Sequence, residues 1–248
     1  MEYLCTKKVN IVIDQGNTSA KAAFFDKNKL LASFIFKPLR LEKLNRLLNE
    51  FSPSNGILSM VADVNPAIIM LLRERLNKFV LLDEHTPLPI RVEYRTPETL
   101  GRDRIAAAVG ANAKHPYANL LVIDAGTAIT YDLITDGVYR GGTISPGMTL
   151  RFKALHAYTR QLPMLDERGD IPDLGYDTAT AIRSGVVNGI VKEMAAYIEA
   201  YKHKYPGLLV FLTGGHSFYF ETRLKSGIFA DGNLVLTGLN EILNYQYE

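Results

Sequence analysis

The chain alternates short apolar runs with turn-forming clusters and longer segments of helical spacing. Ile11-Val12-Ile13 is an apolar run closed by an acid, Asp14, and followed by the turn formers Gln15-Gly16-Asn17-Thr18. Ala22 to Phe25 and Leu31 to Phe36 read as strands on either side of the polar turn Asp26-Lys27-Asn28-Lys29. Leu41, Leu44, Leu47 and Leu48 then recur at helical spacing. Gly56 to Val61 predicts a strand, Pro66 opens an apolar helix at the position proline suits best, and Phe79 to Leu82 predicts another strand. Leu100 to Lys114 is Ala-rich and predicts a helix.

From Asn119 the pattern begins again. Leu120-Leu121-Val122-Ile123 is closed by Asp124 and followed by Ala125-Gly126-Thr127. Strands follow at Ile129 to Ile134 and Val138 to Ile144, then a helix after Gly147, a long helix over Thr178 to Tyr201, a strand over Leu208 to Thr213, and a closing helix over Leu234 to Tyr245. Asp14 and Asp124 lie close to half the chain apart, and each is followed by a glycine, a threonine, two strands and then helices. That is the signature of a duplicated architecture. The expected fold is α/β with two similar halves and mixed sheets: residues 1–115 hold the first hairpin, residues 116–248 the second, and the boundary falls at His115-Pro116. Two such halves would pack across a cleft, where ligands commonly sit.

Composition narrows the function classes. Apolar residues at 47% and charged residues at 22% are ordinary globular values. With 28 Lys and Arg against 26 Asp and Glu, the net charge of +2 makes no case for a nucleic-acid partner. A lone cysteine, Cys5, excludes an intramolecular disulfide and a Cys-rich zinc module, and the five histidines are scattered. No run of about 20 apolar residues predicts a membrane span, and the first residues lack the apolar stretch of a signal peptide. A cytoplasmic protein is the expectation.

The chemistry concentrates in three segments. A strand ending in Asp14, with a small-residue turn after it, presents backbone N–H groups and a hydroxyl around a carboxylate. Such a hairpin can wrap phosphates while the carboxylate holds hydrated Mg²⁺, with Lys21 near in sequence to add positive charge. Taken alone it also fits an ordinary β-hairpin. A second hairpin at the same point of the second half, Asp124-Ala125-Gly126-Thr127, favours a polyphosphate gripped by both. The third segment is Gly101-Arg102-Asp103-Arg104 at the start of the Ala-rich helix. There the helix dipole and free N–H groups keep Asp103 ionised, as a proton acceptor requires, although a capping aspartate would look the same. Thr178 stands where it would cap the long helix, and Phe218, Tyr219 and Phe220 read as packing residues rather than a base-stacking platform.

With these elements in order, the sequence resembles the acetate and sugar kinase, chaperone and actin superfamily, whose members carry two RNase H-like halves with a phosphate hairpin in each. Within it the chain resembles type III pantothenate kinases. The carrying residues are Asp14-x-Gly16-Asn17-Thr18, Gly101-Arg102-Asp103-Arg104, Asp124-x-Gly126-Thr127-Ala128-x-Thr130-x-Asp132, Gly141 to Gly147, Thr178 with Ser184-Gly185, and Thr213-Gly214-Gly215. The resemblance implies phosphorylation of pantothenate by ATP with Mg²⁺ and a monovalent cation, potassium or ammonium. It implies Asp103 as catalytic base. Pantothenate would be bound by Tyr94, Gly101, Arg102, Asp103, Arg104 and Thr178. The ATP phosphates would be held by Asp14, Gln15, Gly16, Asn17, Thr18, Ser19, Ala20, Lys21 and Thr127, magnesium by Asp14 and the monovalent cation by Asp124. It also implies passage of adenosine near Gly214-Gly215 and a homodimer. For the dimer, Val186, Val187, Ile190, Val191, Met194 and Ala195 form an apolar set on the long helix wider than one core stripe needs. A non-catalytic nucleotide-driven regulator and a kinase for a different small alcohol remain the competing expectations.

Overall fold

In a computed structural model of the chain, residues 8–61, 64–224 and 227–247 are described; Cys5 lies outside them. The chain divides into two compact units. One contains the residues up to Pro116 together with Gly137–Tyr139 and Asn233–Glu248, and the other contains Tyr117–Asp136 and Arg140–Gly232.

The first unit is built on a mixed sheet of order β3-β2-β1-β4-β5: β1 Val9–Gln15, β2 Ala20–Asp26, β3 Lys29–Phe36, β4 Asn55–Met60 and β5 Lys78–Leu81. β1 runs antiparallel to β2 and parallel to β4. The two-residue period of β1 sends Val9, Ile11 and Ile13 into a core with α1 (Leu41–Phe51) and α2 (Pro66–Arg75), where Leu44, Leu47, Leu48, Ile68 and Leu72 complete the packing. Pro66 occupies the start of α2 as expected, with the Asn65 side chain accepting from Ala67 N at 3.0 Å. The opposite side of β1 carries Asn10, whose amide donates to Asn240 Oδ1 (3.0 Å) and Asn244 Oδ1 (2.8 Å) on α7 (Leu234–Tyr245). α7 crosses α3 (Arg102–Lys114) at small residues: a Cβ on Gly110 or Gly238 would strike the backbone of Leu234 or Ala106.

This packing places the closing helix with the first unit, whereas the division at residue 115 grouped it with the second half. Its apolar face is matched to the Ala-rich face of α3, a fit that no local sequence pattern announces. The short β6 (Arg91–Val92) likewise pairs with Val138 and Tyr139, which belong to the first unit. The Ala-rich helix begins at Arg102 rather than Leu100, because a 3-10 turn over Pro97–Thr99 precedes it.

In the second unit, β7 (Leu120–Ala125) runs antiparallel to β8 (Ala128–Thr135) and parallel to β10 (Leu209–Thr213), which in turn pairs with β11 (Phe229–Ala230). With β9 (Val138–Pro146) beside β8, the run β9-β8-β7-β10-β11 of this six-stranded sheet matches the order of the first unit's five strands. This duplication is the one expected from the two apolar runs. α4 (Met148–Ala157), α5 (Thr178–Lys204) and the short α6 (Ser217–Glu221) complete the unit. Ile182, Val186, Val187, Ile190 and Met194 of α5 are buried in this unit's own core, Val191 packs at its margin and Ala195 is exposed. The apolar width of the helix is therefore absorbed by β7, β8 and β10, and does not by itself point to a second chain. α5 also runs past Tyr201, ending in Lys202, His203 and Lys204, charges suited to a helix C-terminus. No helix among the described residues is long and apolar enough to cross a membrane.

Candidate functional site

In the first unit, Asp14 closes β1 opposite Lys21 of β2 and beside Ser59 of β4. The intervening turn is held by Gly16 N donating to Ser19 O (3.0 Å) and Gln15 Nε2 to Gly16 O (2.9 Å), leaving Asn17 and Thr18 exposed. Asp14 Oδ1 is fully buried and makes no hydrogen bond. Its carboxyl is pushed up to about 6, chiefly by burial and then by repulsion from Asp103, with Lys21 acting in the opposite sense. Asp14, Lys21 and Asp103 therefore form one electrostatic cluster.

Asp103 is the second residue of α3, and its Oδ1 accepts from Arg104 N at 2.9 Å. Its position just inside a helix N-terminus is the expected one. Arg104 is buried, with its guanidinium carbon 6.0 Å from the ring centroid of Tyr94, which in turn lies 6.2 Å from the Tyr139 ring. Arg102 points elsewhere. Its Nη2 donates to Glu84 Oε2 (2.7 Å) and its Nη1 to the carbonyls of Pro97 (3.1 Å) and Leu100 (3.3 Å), so this guanidinium ties down the turn ahead of Asp103.

In the second unit Asp124 closes β7 opposite Thr130 and beside Thr213. The hairpin is shorter, closed by Gly126 N to Ala128 O at 3.0 Å. It is supported from two sides. Gly147 N donates to Thr127 O (3.1 Å), and a Cβ on Gly147 would collide with the carbonyls of Gly126 and Thr127. On the other side His216 N donates to Ala125 O (3.0 Å), and Gly214, at φ +92°, lies so close that a side chain there would strike Asp124 Oδ1 and Ala125. Of the aromatics after Gly214-Gly215, Phe220 is core, Tyr219 lies 3.8 Å under the Arg223 guanidinium, and Phe218 is exposed, so only part of that trio packs inward. Thr178 is the exposed first residue of α5, but the cap is Asp177, whose Oδ1 accepts from Thr180 N at 2.7 Å in a capping box. Thr178 is thereby released from the capping role its position suggested.

The donors suit hard cations. Asp14 offers a buried carboxylate oxygen with no protein partner, which costs free energy when ionised unless a cation compensates it. Asp124 Oδ1 faces the side-chain-free Gly126 and Gly214. Among the described residues no three His, Cys, Asp or Glu side chains gather as a metal cage. Single carboxylates fit ions that keep most of their coordination for water and phosphate oxygens.

The motifs did not reveal Glu84, nor the group Tyr131, Arg151 and Glu193 behind the second hairpin. Their pairings span 18, 42 and 62 residues, with no local spacing to mark them.

Residues 10–200 match the family model described as Type III pantothenate kinase. A protein from Bacteroides fragilis named type III pantothenate kinase is 49% identical over 238 residues, covering 96% of this chain and 98% of its own. One of the same name from Porphyromonas gingivalis is 40% identical, covering 95% and 98%. Among solved structures, a Baf family protein from Campylobacter jejuni aligns with a TM-score of 0.60 at 22% identity over 95% of this chain and 98% of that one. A glucokinase from an Antarctic psychrotroph aligns at 0.55 and 13%, over 96% and 99%. At such identities these two show the fold alone.

Proposed function

The chain belongs to the type III pantothenate kinase family, and from that premise we propose that it transfers the γ-phosphoryl group of ATP to the terminal hydroxyl of pantothenate, giving 4′-phosphopantothenate, ADP and a proton. This is the first step of coenzyme A synthesis. The observation that carries the residue assignment is the first unit's pair of carboxylates: Asp14, whose Oδ1 is buried without a hydrogen-bond partner, and Asp103 at a helix N-terminus close enough to repel it.

The two acids take different roles. Asp103 accepts or orients the proton of the attacking hydroxyl as the oxygen–phosphorus bond forms and the bridging bond of ATP breaks. Arg104 and Tyr94 hold pantothenate beside it, with Thr178 contributing a free hydroxyl. Gln15 to Lys21 of the first hairpin and Thr127 of the second hold the phosphates. Magnesium held by Asp14, and potassium or ammonium by Asp124, would supply neutralising charge to the phosphate oxygens. Phosphoryl transfer passes through a loose transition state, so holding and charge neutralisation outweigh the strength of the base.

A homodimer goes with this reading, as does a cytosolic location. Its support lies in exposed apolar side chains of the second unit: Leu174 at 86%, Tyr176 at 72% and Ile144 at 64% exposure, with Met164 and Leu150. Light scattering should give twice the 27.6 kDa chain mass. The decisive assay couples ADP release to a panel of alcohols, run in potassium and in sodium. Pantothenate should be turned over and the others not, with rates falling in sodium. Turnover of another alcohol in preference would overturn the substrate, and equal rates in both salts would overturn the monovalent site.

A further inference from the structure

Behind the second hairpin lies a polar group that none of the roles above uses. Glu193 of α5 accepts from Tyr131 Oη at 2.8 Å through Oε1, and from Arg151 Nη2 at 2.5 Å through Oε2. The same Arg151 donates from Nη2 to Ser145 Oγ (2.9 Å), from Nε to Pro146 O (2.8 Å) and from its backbone N to Gly147 O (2.9 Å). One arginine thus holds the bend between β9 and α4, its guanidinium bonded to Ser145 and Pro146 and its backbone N to Gly147. That bend is in turn bonded to the hairpin through Gly147 N and Thr127 O. Tyr131 sits on β8, six residues after the hairpin's Ala125, and stacks on Tyr197 of α5 at 4.2 Å. The brace therefore reaches the hairpin by two routes, the bend and the strand.

The chemistry suits a fixed joint rather than a surface ion pair. Arg151 and Glu193 side chains are about one-fifth and one-quarter exposed. A guanidinium spreads its donors in a fixed plane, so satisfying Pro146, Ser145 and Glu193 together fixes its orientation, which a lysine at the same place cannot reproduce. The Glu193 carboxyl is held below its usual range: burial acts to raise it, but hydrogen bonds from Arg151, Tyr131 and Ser145 outweigh that effect.

We propose that Glu193, with Arg151 and Tyr131, is a positioning residue for nucleotide: it fixes the β9–α4 bend against the second hairpin and so sets the position of the Gly126–Thr127 backbone that receives the ATP phosphates. The proposal rests on the phosphate-binding role given to that hairpin above. It assigns no contact between Glu193 and substrate.

Glu193→Gln keeps the shape of the side chain but removes its charge and one acceptor oxygen, so Tyr131 must turn its hydroxyl to accept and Arg151 is left with a neutral, weaker partner. A displacement of the order of 1 Å in a substrate-holding group costs up to about a hundredfold, and partial loosening should cost about tenfold. Glu193→Gln should raise the ATP KM about tenfold, leave the pantothenate KM within about twofold and change kcat little. Tyr131→Phe, which spares the arginine arm, should give about a threefold rise. Arg151→Lys should resemble Glu193→Gln despite keeping the charge. A purely structural role would instead lower the folded fraction and kcat, with the ATP KM unmoved. Titration of a non-hydrolysable ATP analogue by calorimetry reads the same effect without turnover. If the wild-type protein does not phosphorylate pantothenate, the substrate reading fails while this titration still tests the brace. An analogue affinity within twofold of wild type in the folded Glu193→Gln and Arg151→Lys proteins would overturn the proposal. Should Glu193→Gln fail to fold, Arg151→Lys and Tyr131→Phe decide it.

Discussion

The two hairpins occupy the same place in the same sheet topology, yet their surroundings differ. Each follows the central strand of a matching five-strand run, whose next-to-last residue is an aspartate with a hydroxyl residue, Ser59 or Thr213, beside it on the parallel neighbour. The antiparallel neighbour separates them: Lys21 faces Asp14, whereas Thr130 faces Asp124. The first turn runs from Gln15 to Ala20 and is closed by its own backbone. The second is two residues tighter and is buttressed by Gly147, Gly214 and His216. Duplication preserved the strand order and let the loops specialise. The first unit concentrates charge, with Lys21 and Asp103 both acting on Asp14, and the second surrounds its hairpin with backbone contacts from Gly147, Gly214 and His216.

The sharpest way to break this division is to remove the proposed proton acceptor. Asp103→Asn keeps the side chain's shape and loses its charge, and a general base contributes about 10²–10⁴-fold. Steady-state kcat should fall by that factor with the ATP KM nearly unchanged, because the role given to Asp103 is at the attacking hydroxyl and not at the phosphates. Near wild-type kcat would refute Asp103 as the base and with it the concentration of chemistry in the first unit.

Asp14 tests the cost of that concentration. Its folded pKa, raised to about 6 from an unfolded 3.8, means the native state binds the proton more tightly than the unfolded chain. Below pH 4 both states are protonated and nothing is lost. As pH rises from 4 to 6 the native state pays progressively for ionising a buried carboxylate, and above 6 the penalty is constant. Two pKa units correspond to roughly 3 kcal/mol. In metal-free urea unfolding, Asp14→Asn should therefore be stabilised by up to that amount at pH 8 and by nothing at pH 3.5, while losing activity at all pH values. A stability difference independent of pH would show that Asp14 is not the strained acid of the pair. The corresponding Asp124→Asn, opposite a threonine rather than in this cluster, serves as the comparison.

Much of this contrast was readable from the chain, and what was not has physical reasons. Apolar runs closed by Asp14 and Asp124 marked the strand ends because a buried central strand must be apolar until it reaches a polar site. The placement of Asp103 near a helix start followed from the small residues after it. The return of α7 to the first unit, the Asp177 cap that relieves Thr178, and the absorption of α5's apolar face by its own core all depend on tertiary fit between distant surfaces. The Arg151–Glu193 and Arg102–Glu84 pairs were hidden for the same reason: a charged residue in sequence looks alike whether it is solvated or clamped.

A matched pair of glycine substitutions measures the difference in rigidity directly. A Cβ at Gly16 would lie 3.2 Å from Ser19 O, a contact the exposed turn can relieve with a small shift, whereas at Gly147 it would strike two carbonyls of the second hairpin. Overpacking of the second kind costs about 1–3 kcal/mol. Gly147→Ala should lower the melting temperature and raise the ATP KM about tenfold, and Gly16→Ala should raise it no more than about threefold. Equal effects would erase the distinction between a yielding and a rigid hairpin.

The smallest effect concerns whether the first unit has a brace of its own. Arg102 occupies the variable slot of Gly-x-Asp-Arg, and its resemblance-based role is to bind pantothenate, yet its guanidinium is engaged by Glu84, Pro97 and Leu100. The two roles separate cleanly. If Arg102 binds pantothenate, Glu84→Gln releases it and leaves the pantothenate KM unchanged or lower, while Arg102→Ala raises it more than tenfold. If Arg102 holds the Pro97–Leu100 turn that leads into Asp103, both substitutions raise the pantothenate KM by a similar, small factor. The Arg102 side chain is mostly buried but Glu84 is 36% exposed, so the pair should be worth about 1 kcal/mol at most, or about fivefold. The geometry favours the second outcome, and a double-mutant cycle on Glu84 and Arg102, read as pantothenate kcat/KM, measures it. Full additivity would show that the pair does not act as a unit. A coupling near fivefold would mean that both units fix their reactive loops with an arginine–glutamate pair, the first more weakly than the second.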